Sequence, residues 1–242
     1  MIVLFTDFGL AGPYTGQVVA VLQQAAPSLP VIQLFADAPA GRPKPSAYLL
    51  AAYAAWFPIG SVVLAIVDPG VGGARRGLIV EADGRLYVGP ENGLFELVLR
   101  RAASPRTWEI LWRPPAVSAS FHARDLFAPV AARLASGEPP EAMAKPATPQ
   151  RRPGWPDDLA EIVYIDHYGN ALTGLRGTIL PAGTRLTAAG RSLVAAPTFS
   201  AVPEGTAFWY VNSNGLAEIA VNGGRADAVL RLALGDPVAI AG

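Results

Sequence analysis

The sequence predicts two domains of different class: an α/β N-terminal domain with a largely parallel sheet, and a small all-β barrel as C-terminal domain. Three observations carry the prediction. Short unbroken apolar runs alternate with segments of helical period through the first half of the chain. Six prolines then fall between residues 139 and 156, in a stretch poor in large apolar side chains that reads as a linker. Beyond it, short strand-like runs are separated by Gly, Pro and Asn turns, and helical spacing is scarce. The expected division is 1–150 for the α/β domain, 151–158 for the linker and 159–242 for the barrel.

Taken in order, residues 2–5 form an apolar run that meets Thr6-Asp7-Phe8-Gly9, a buried strand ending in a polar turn. Residues 14–26 have helical spacing and stop at Pro27. A strand follows at 30–35, then an Ala/Leu/Tyr-rich helix at 46–57 closed by Pro58-Ile-Gly60. Residues 61–67 are a buried strand that runs straight into Asp68-Pro-Gly-Val-Gly-Gly73. Residues 78–81 and 86–88 flank Asp83-Gly84, a hairpin signal. Helices are expected at 92–101 and 123–135. This alternation is Rossmann-like, and ligands of such sheets sit beyond the carboxyl ends of the strands. Asp7 and Asp68 both fall at that kind of position. In the second domain, strands are expected at 161–165, 185–186, 191–194, 207–211, 218–221 and 237–240.

Composition narrows the function classes. Hydrophobic residues make up 51% and charged residues 16%, which describes a chain that buries a core. Acids and bases balance at 19 each, so no field is set up for nucleic acid or an anionic membrane. There is no cysteine, which excludes disulfides and thiolate chemistry, and two histidines are too few for the usual metal clusters. No apolar run is long enough to span a bilayer, and the first residues lack a basic segment of signal-peptide type. A soluble, cytoplasmic protein is the expectation.

Four segments can carry chemistry. Asp68-Pro-Gly-Val-Gly-Gly-Ala-Arg75-Arg76 delivers a carboxylate to a turn whose backbone can approach a ligand, with arginine close behind. A surface turn with an ion pair fits the same letters. His122 precedes a helix start, in Phe121-His-Ala-Arg-Asp125. A neutral His there can act as a base or hold a water, and a capping or core histidine fits as well. Asp166-His-Tyr168-Gly-Asn170 follows a strand. Asn offers a donor and an acceptor to an adenine edge, and Tyr168 a face for its ring, while a plain turn would use the same residues. Asn212-Ser213-Asn-Gly215, with Glu218 close behind, can hold an amino-acid head group. Thr6-Asp-Phe-Gly9 has the kinase metal-binding triplet without any other kinase element, and no phosphate-binding loop, nucleophile elbow or zinc motif is present.

Together and in this order these segments resemble the S-adenosylmethionine hydroxide adenosyltransferase family, whose relatives include fluorinating and chlorinating enzymes. The resemblance rests on Leu4-Phe-Thr-Asp-Phe-Gly9 with Pro13-Tyr14 and Gly16, and on Val67-Asp-Pro-Gly-Val-Gly72 with Arg75-Arg76. Gly89-Pro-Glu-Asn-Gly93, Phe121 to Pro129, Asp166-His-Tyr-Gly-Asn170 and Asn212 to Asn222 complete it. It covers nearly the whole chain.

The resemblance implies an α/β domain followed by a β-barrel, and a homotrimer with sites between neighbouring subunits. It implies that Asp68, Arg75 and His122 position water at the ribose C5′ of S-adenosylmethionine, which is the substrate. No cofactor or metal is implied. Spacing favours Arg75 over its neighbour Arg76. Asp7 matches the ribose-binding aspartate, Asp166 and Ser213 the residues that hold the methionine part, and Asn170 the adenine contact. Tyr168 lies where the family has an aromatic. The halogenating relatives keep neither the Asp of the Asp-Pro-Gly turn nor the His, and both are present here. Hydrolysis to adenosine and L-methionine is therefore the expected activity. Halide transfer, or adenosine binding without turnover, are the alternatives. The chain departs from the family pattern at residues 34–45, at Gly73 and at Glu91.

Overall fold

A computed structural model of the protein describes residues 1–241. The chain divides into two compact units, Met1–Arg152 and the remainder from Pro153. None of the helices in the described residues is long and apolar enough to cross a membrane.

The first unit is a seven-stranded sheet with helices around it. In chain order its elements are β1 (Ile2–Thr6), α1 (Tyr14–Ala25), β2 (Val31–Phe35), α2 (Pro43–Tyr53), β3 (Val62–Ile66), β4 (Gly77–Ala82), β5 (Arg85–Pro90), α3 (Glu96–Arg101), β6 (Arg106–Ile110), α4 (Ala128–Ala135) and β7 (Ala144–Pro146). The strand order is β2-β1-β3-β5-β4-β6-β7. The first four strands in that order are parallel to one another. The hairpin at Asp83-Gly84 then reverses direction, and β4, β6 and β7 pair antiparallel. The parallel α/β layer legible in the sequence is thus one half of a mixed sheet.

Every residue of β1 and β3 is buried, as the unbroken apolar runs require of central strands covered on both faces. Ile2, Leu4, Val62 and Leu64 pack with Val18 and Leu22 of α1 and with Val130, Ala131 and Leu134 of α4. Val3 and Phe5 alternate to the other face. There Phe5 meets Phe35 with ring centroids 5.1 Å apart, and Phe35 meets Tyr53 at the end of α2, also at 5.1 Å.

Two helices differ from expectation for local reasons. The helix expected from residue 92 begins only at Glu96, because Gly93 takes a φ of 102° and breaks the helical path. The helix expected over 123–135 opens with a π-helical turn, Ala123–Phe127, before α4. Pro129 has no N–H to donate, so the regular ladder cannot run through the first turn and the backbone widens there. Strands β6 and β7 were not legible in the sequence. β6 reads Arg-Thr-Trp-Glu-Ile, a pattern too short and too charged to stand out.

The second unit contains β8 (Leu159–Ile165), β9 (Ala171–Arg176), β10 (Arg185–Ala188), β11 (Arg191–Leu193), β12 (Ala207–Val211), β13 (Leu216–Val221), the short helix α5 (Ala226–Leu230) and β14 (Val238–Ala241). Two antiparallel sheets form, in the orders β11-β10-β14 and β12-β13-β9-β8. Their edges meet at both ends. Glu161 bridges Pro237 beside β8 and β14, and Ala195 bridges Trp209 beside β11 and β12. Hydrogen bonds secure both seams: Ile162 N donates to Asp236 O at 2.9 Å, and Trp209 N to Val194 O at 3.0 Å. The seven strands therefore close on themselves as a small barrel, and closure removes the exposed edges of both sheets. Ile162, Leu175, Leu186, Trp209, Ile219 and Val238 belong to its buried core. β9 carries a weak strand signal because Gly174 interrupts it. A Cβ at that position would lie 2.6 Å from Leu159 Cβ, so the glycine is what allows β8 and β9 to approach.

Candidate active site

The strand order defines a crevice. From β1 the chain passes through α1 to β2 on one side, then through α2 to β3 on the other side of β1. The connections diverge between β1 and β3, and ligands of open α/β sheets bind beyond the strand ends at such a point. Asp7 directly follows β1, and Asp68 lies two residues beyond β3. They line one pocket of about 80 Å³ together with Phe8, Val71, Phe121 and His122. A wider depression shares Asp7, Phe8 and Phe121 and extends past Tyr14 and Gln17.

Glycine makes this pocket possible. Gly72 has a φ of 80°, and a Cβ on it would collide with Ala119 O. Only glycine lets the turn after Asp68 pack against the loop that carries His122. Asn92 Nδ2 donates to Val67 O at 2.8 Å and holds the backbone next to Asp68. Asn92 belongs to the Gly89-Pro-Glu-Asn-Gly93 motif, and residue type alone does not reveal this role. Its signal was the Pro-Glu-Asn-Gly turn itself.

Asp68, Arg75 and His122 meet as one unit. Arg75 Nε donates to both Asp68 oxygens at 2.9 Å, and Arg75 Nη2 adds a further bond to Oδ2. The Asp68 and Arg75 side chains are 5% and 12% exposed. Arg75 also lies over the Phe127 ring, 5.2 Å from its centroid. Arg76 faces elsewhere. Its Nε donates to Glu91 at 2.6 Å and its Nη2 to Thr148 O at 3.0 Å. The geometry therefore separates two neighbours that spacing alone leaves close.

Arg75 Nη2 stands 3.1 Å from His122 Nδ1. A guanidinium has no acceptor, so Nδ1 must accept and the ring proton of a neutral imidazole must lie on Nε2. Burial, and then the Arg75 charge, push the His122 pKa below its ordinary 6.5. Neutral His122 with an Nε2–H is thus the form the site favours. It can donate a hydrogen bond there and cannot take a proton at Nδ1 without losing Arg75.

A pH effect follows with a definite sign. The unfolded chain protonates His122 near 6.5, and the folded chain only lower. Between those values the unfolded state binds more protons, so stability rises with pH across the window. This contribution is present above 6.5 and is lost as pH falls through the depressed folded value. Activity should hold at neutral pH and fall on the acid side along one protonation step, with that step absent in His122→Gln. A pH–rate profile of both proteins checks this.

Asp7 has a separate environment. Gly41 N donates to its Oδ2 at 2.8 Å, which brings the loop between β2 and α2, within the 34–45 segment, against Asp7. Burial raises the Asp7 pKa, opposed mainly by that backbone bond. Arg124 and Asp125 pair with each other beside this pocket. Arg124 Nε donates to Asp125 at 2.6 Å, and Asp125 accepts Ser118 N at 2.8 Å, which ties down the His122 loop.

In the barrel, Asp166 accepts Asn170 N at 2.8 Å and Asn170 Nδ2 at 3.2 Å. Glu218, on β13, accepts Tyr210 Oη at 2.5 Å and Asn212 Nδ2 at 2.8 Å. Burial raises its pKa, opposed chiefly by the hydrogen bonds from Tyr210 and Asn212. Asp166 and Asn170 thus form one group, and Glu218, Tyr210 and Asn212 a second. Tyr168 is outside both, 73% exposed with its ring against His167. Ser213 sits in the turn between β12 and β13, where its Oγ accepts Asn214 Nδ2 at 3.4 Å.

A switch-point pocket with a part-buried Asp–Arg–His group, on a chain that continues into a closed barrel, defines an α/β ligand-binding protein with the side chains of a polar reaction centre. Comparison with known proteins makes this specific. Residues 2–144 match the S-adenosylmethionine hydroxide adenosyltransferase N-terminal domain and residues 160–239 its C-terminal domain. The chain belongs to that family.

Similar proteins named (R)-S-adenosyl-L-methionine hydrolase occur in Thermus thermophilus, at 41% identity over 96% of each chain, and in Salinispora arenicola, at 37% identity over 97% of this chain and 95% of the relative. A crystal structure of an uncharacterized conserved protein from Thermotoga maritima superposes with a TM-score of 0.90 at 28% identity, covering 100% of both chains. That of a conserved hypothetical protein from Thermus thermophilus gives 0.78 at 38% identity, covering 99% of both.

Proposed function

We propose that this protein hydrolyses S-adenosyl-L-methionine to adenosine and L-methionine, by in-line attack of water at the ribose C5′. Family membership and the names of its relatives support the reaction. The observation that carries the reading of the site is the Asp68–Arg75–His122 group at the switch point.

The sulfonium is already a good leaving group, so the reaction needs no metal and no organic cofactor. The water oxygen forms the new bond to C5′ as the C5′–S bond breaks. The bonding pair goes to sulfur, which leaves as the neutral thioether of methionine, and one proton passes from the water to the Asp68 carboxylate and from there to solvent. The protein has to orient the water opposite sulfur and accept hydrogen bonds from it. His122 Nε2–H donates to the water oxygen and fixes its position. Asp68 is the acceptor that polarises it, and Arg75 locks the Asp68 carboxylate in place. Asp7 binds the ribose. Asp166 and Ser213, together with Glu218, hold the methionine part, while Asn170 and Tyr168 serve the adenine. The same reading includes a cytoplasmic homotrimer whose sites are completed by neighbouring subunits, for which sedimentation equilibrium at three chain masses is the direct measurement.

Halide transfer is disfavoured on chemical grounds. A carboxylate at Asp68 repels a halide, whereas water needs an acceptor for its hydrogens. Incubation in oxygen-18 water, with chloride present, decides the matter by mass spectrometry. Label in the 5′-hydroxyl of adenosine is the expected result. A 5′-chloro product, or substrate that persists intact, overturns the proposal.

A further inference from the structure

We infer that Asn92 is a positioning residue for the reaction: its side-chain amide fixes the last carbonyl before Asp68 and so sets where the catalytic carboxylate stands. The inference rests on the reading above that Asp68 accepts from the attacking water.

Asp68 lies past the end of its strand, so the sheet ladder does not hold it directly. β3 ends at Ile66, and its pairing with β5 runs from Val62 with Leu86 to Leu64 with Val88. Successive carbonyls of an extended strand turn to opposite neighbours, here β1 and β5. On the β1 side, Asp7 N donates to Ile66 O at 3.3 Å. On the β5 side, Asn92 Nδ2 donates to Val67 O at 2.8 Å. A side-chain amide thus extends the ladder by one bond, up to the residue that precedes Asp68.

The amide has one orientation. Leu94 N donates to Asn92 Oδ1 at 3.2 Å, so the oxygen is committed and the NH2 group faces Val67 O. A flipped amide would set oxygen against oxygen and NH2 against N–H. Two glycines bring the turn within reach. A Cβ on Gly89 would collide with Ala65 O, so glycine is what lets β5 close on β3 just ahead of the turn. Gly93 then takes a φ of 102° to bend the chain away.

The same turn holds the other end of the catalytic loop. Glu91 N donates to Arg76 O at 2.9 Å, so residues 91 and 92 grip positions 76 and 67, on either side of the stretch that carries Asp68 and Arg75. Inside that stretch Val71 N donates to Asp68 O at 3.3 Å and Gly73 N to Gly70 O at 3.0 Å. The Arg76 end is gripped through the backbone and does not need the Arg76 side chain. The Val67 end depends on the side chain of Asn92. Without that donor Val67 O is released, and the Asp68 carboxylate shifts against the water it must receive. A displacement of about 1 Å at a reacting group costs about 10²-fold in rate.

The test is steady-state turnover of S-adenosylmethionine and urea unfolding of the full-length protein, for wild type, Asn92→Ser, Asn92→Asp and Val98→Ala. Ser and Asp both keep an oxygen for Leu94 N. Ser is too short to reach Val67 O, and an ionised Asp has no donor. We expect kcat to fall roughly 10-fold to 100-fold in both, with KM unchanged within about three-fold. Val98→Ala, on the buried face of α3, should lose stability and keep its kcat. In the Asp68→Asn background, Asn92→Ser should cost little further rate, because a group that acts through Asp68 has nothing left to position. A merely structural role leaves kcat of the folded Asn92 variants at the wild-type value, or repeats the full loss in the Asp68→Asn background. Either result overturns the inference, as does a raised KM at constant kcat, and the proposed hydrolysis stands as long as wild type forms adenosine. If one Asn92 variant does not fold, the other decides; if neither folds, Asn92 serves folding and the inference is overturned. Absence of adenosine from wild type removes the underlying reading, and this inference with it.

Discussion

Asp68→Asn lowers adenosine formation by about 10²–10⁴-fold while S-adenosylmethionine stays bound, the range expected when a positioned acceptor is removed. Asn preserves the size of the side chain, so the turn built on Gly72 should survive. It cannot accept at both oxygens, and it places an NH2 group against either the Arg75 guanidinium or the attacking water. The donors of Arg75, which now fill both carboxylate oxygens at 2.9 Å, lose one acceptor. Binding should change little, because ribose, adenine and methionine are assigned to other residues. Single-turnover product analysis with a parallel binding titration checks the result. Undiminished turnover would remove Asp68 from the mechanism.

Arg75→Met is expected to abolish activity and to destabilise the protein by about 3–5 kcal/mol, the usual consequence of breaking one side of a buried ion pair. Asp68, at 5% exposure, would be left ionised without its cation, and His122 Nδ1 would lose its donor. The imidazole could then move its proton to Nδ1 and present a bare Nε2 to the water, which reverses the hydrogen bond the site offers. Arg75→Lys should recover part of the stability and little of the activity. A single ammonium cannot reproduce the paired bonds to Asp68 and reach Nδ1 in the same geometry. Urea unfolding and turnover, measured on both variants, separate the two effects. Arg76→Met serves as the control. It loses the pairing with Glu91 and leaves the Asp68–Arg75–His122 contacts in place.

Much of this was legible without coordinates, and the reasons are local. Unbroken apolar runs announced β1 and β3, because a central parallel strand is buried on both faces and has no polar side to show. Asp7 and Asp68 were identified by their place just past those runs. The barrel was readable from the spacing of its turns. What escaped was weakly patterned or interrupted: β6 with its charged positions, β9 broken by Gly174, and the π-helical opening ahead of α4, which Pro129 imposes. The antiparallel half of the sheet was equally hidden. Direction depends on which strand a hairpin joins, and Asp83-Gly84 reports only that a hairpin exists.

The sequence by itself determined the two-domain plan, the strand ends on which carboxylates stand and, through its motifs in order, the family. The tertiary structure decided what those residues can do. It turned Arg75 toward Asp68 and Arg76 toward Glu91, left His122 with its proton on Nε2, and assigned the donor half of Asn170 to Asp166. Each of these outcomes depends on which donor meets which acceptor across a gap in the chain, 47 residues in the case of Arg75 and His122. Residue type supplies the hydrogen-bonding groups. Only the packed fold decides which are spent on the protein and which remain for a ligand.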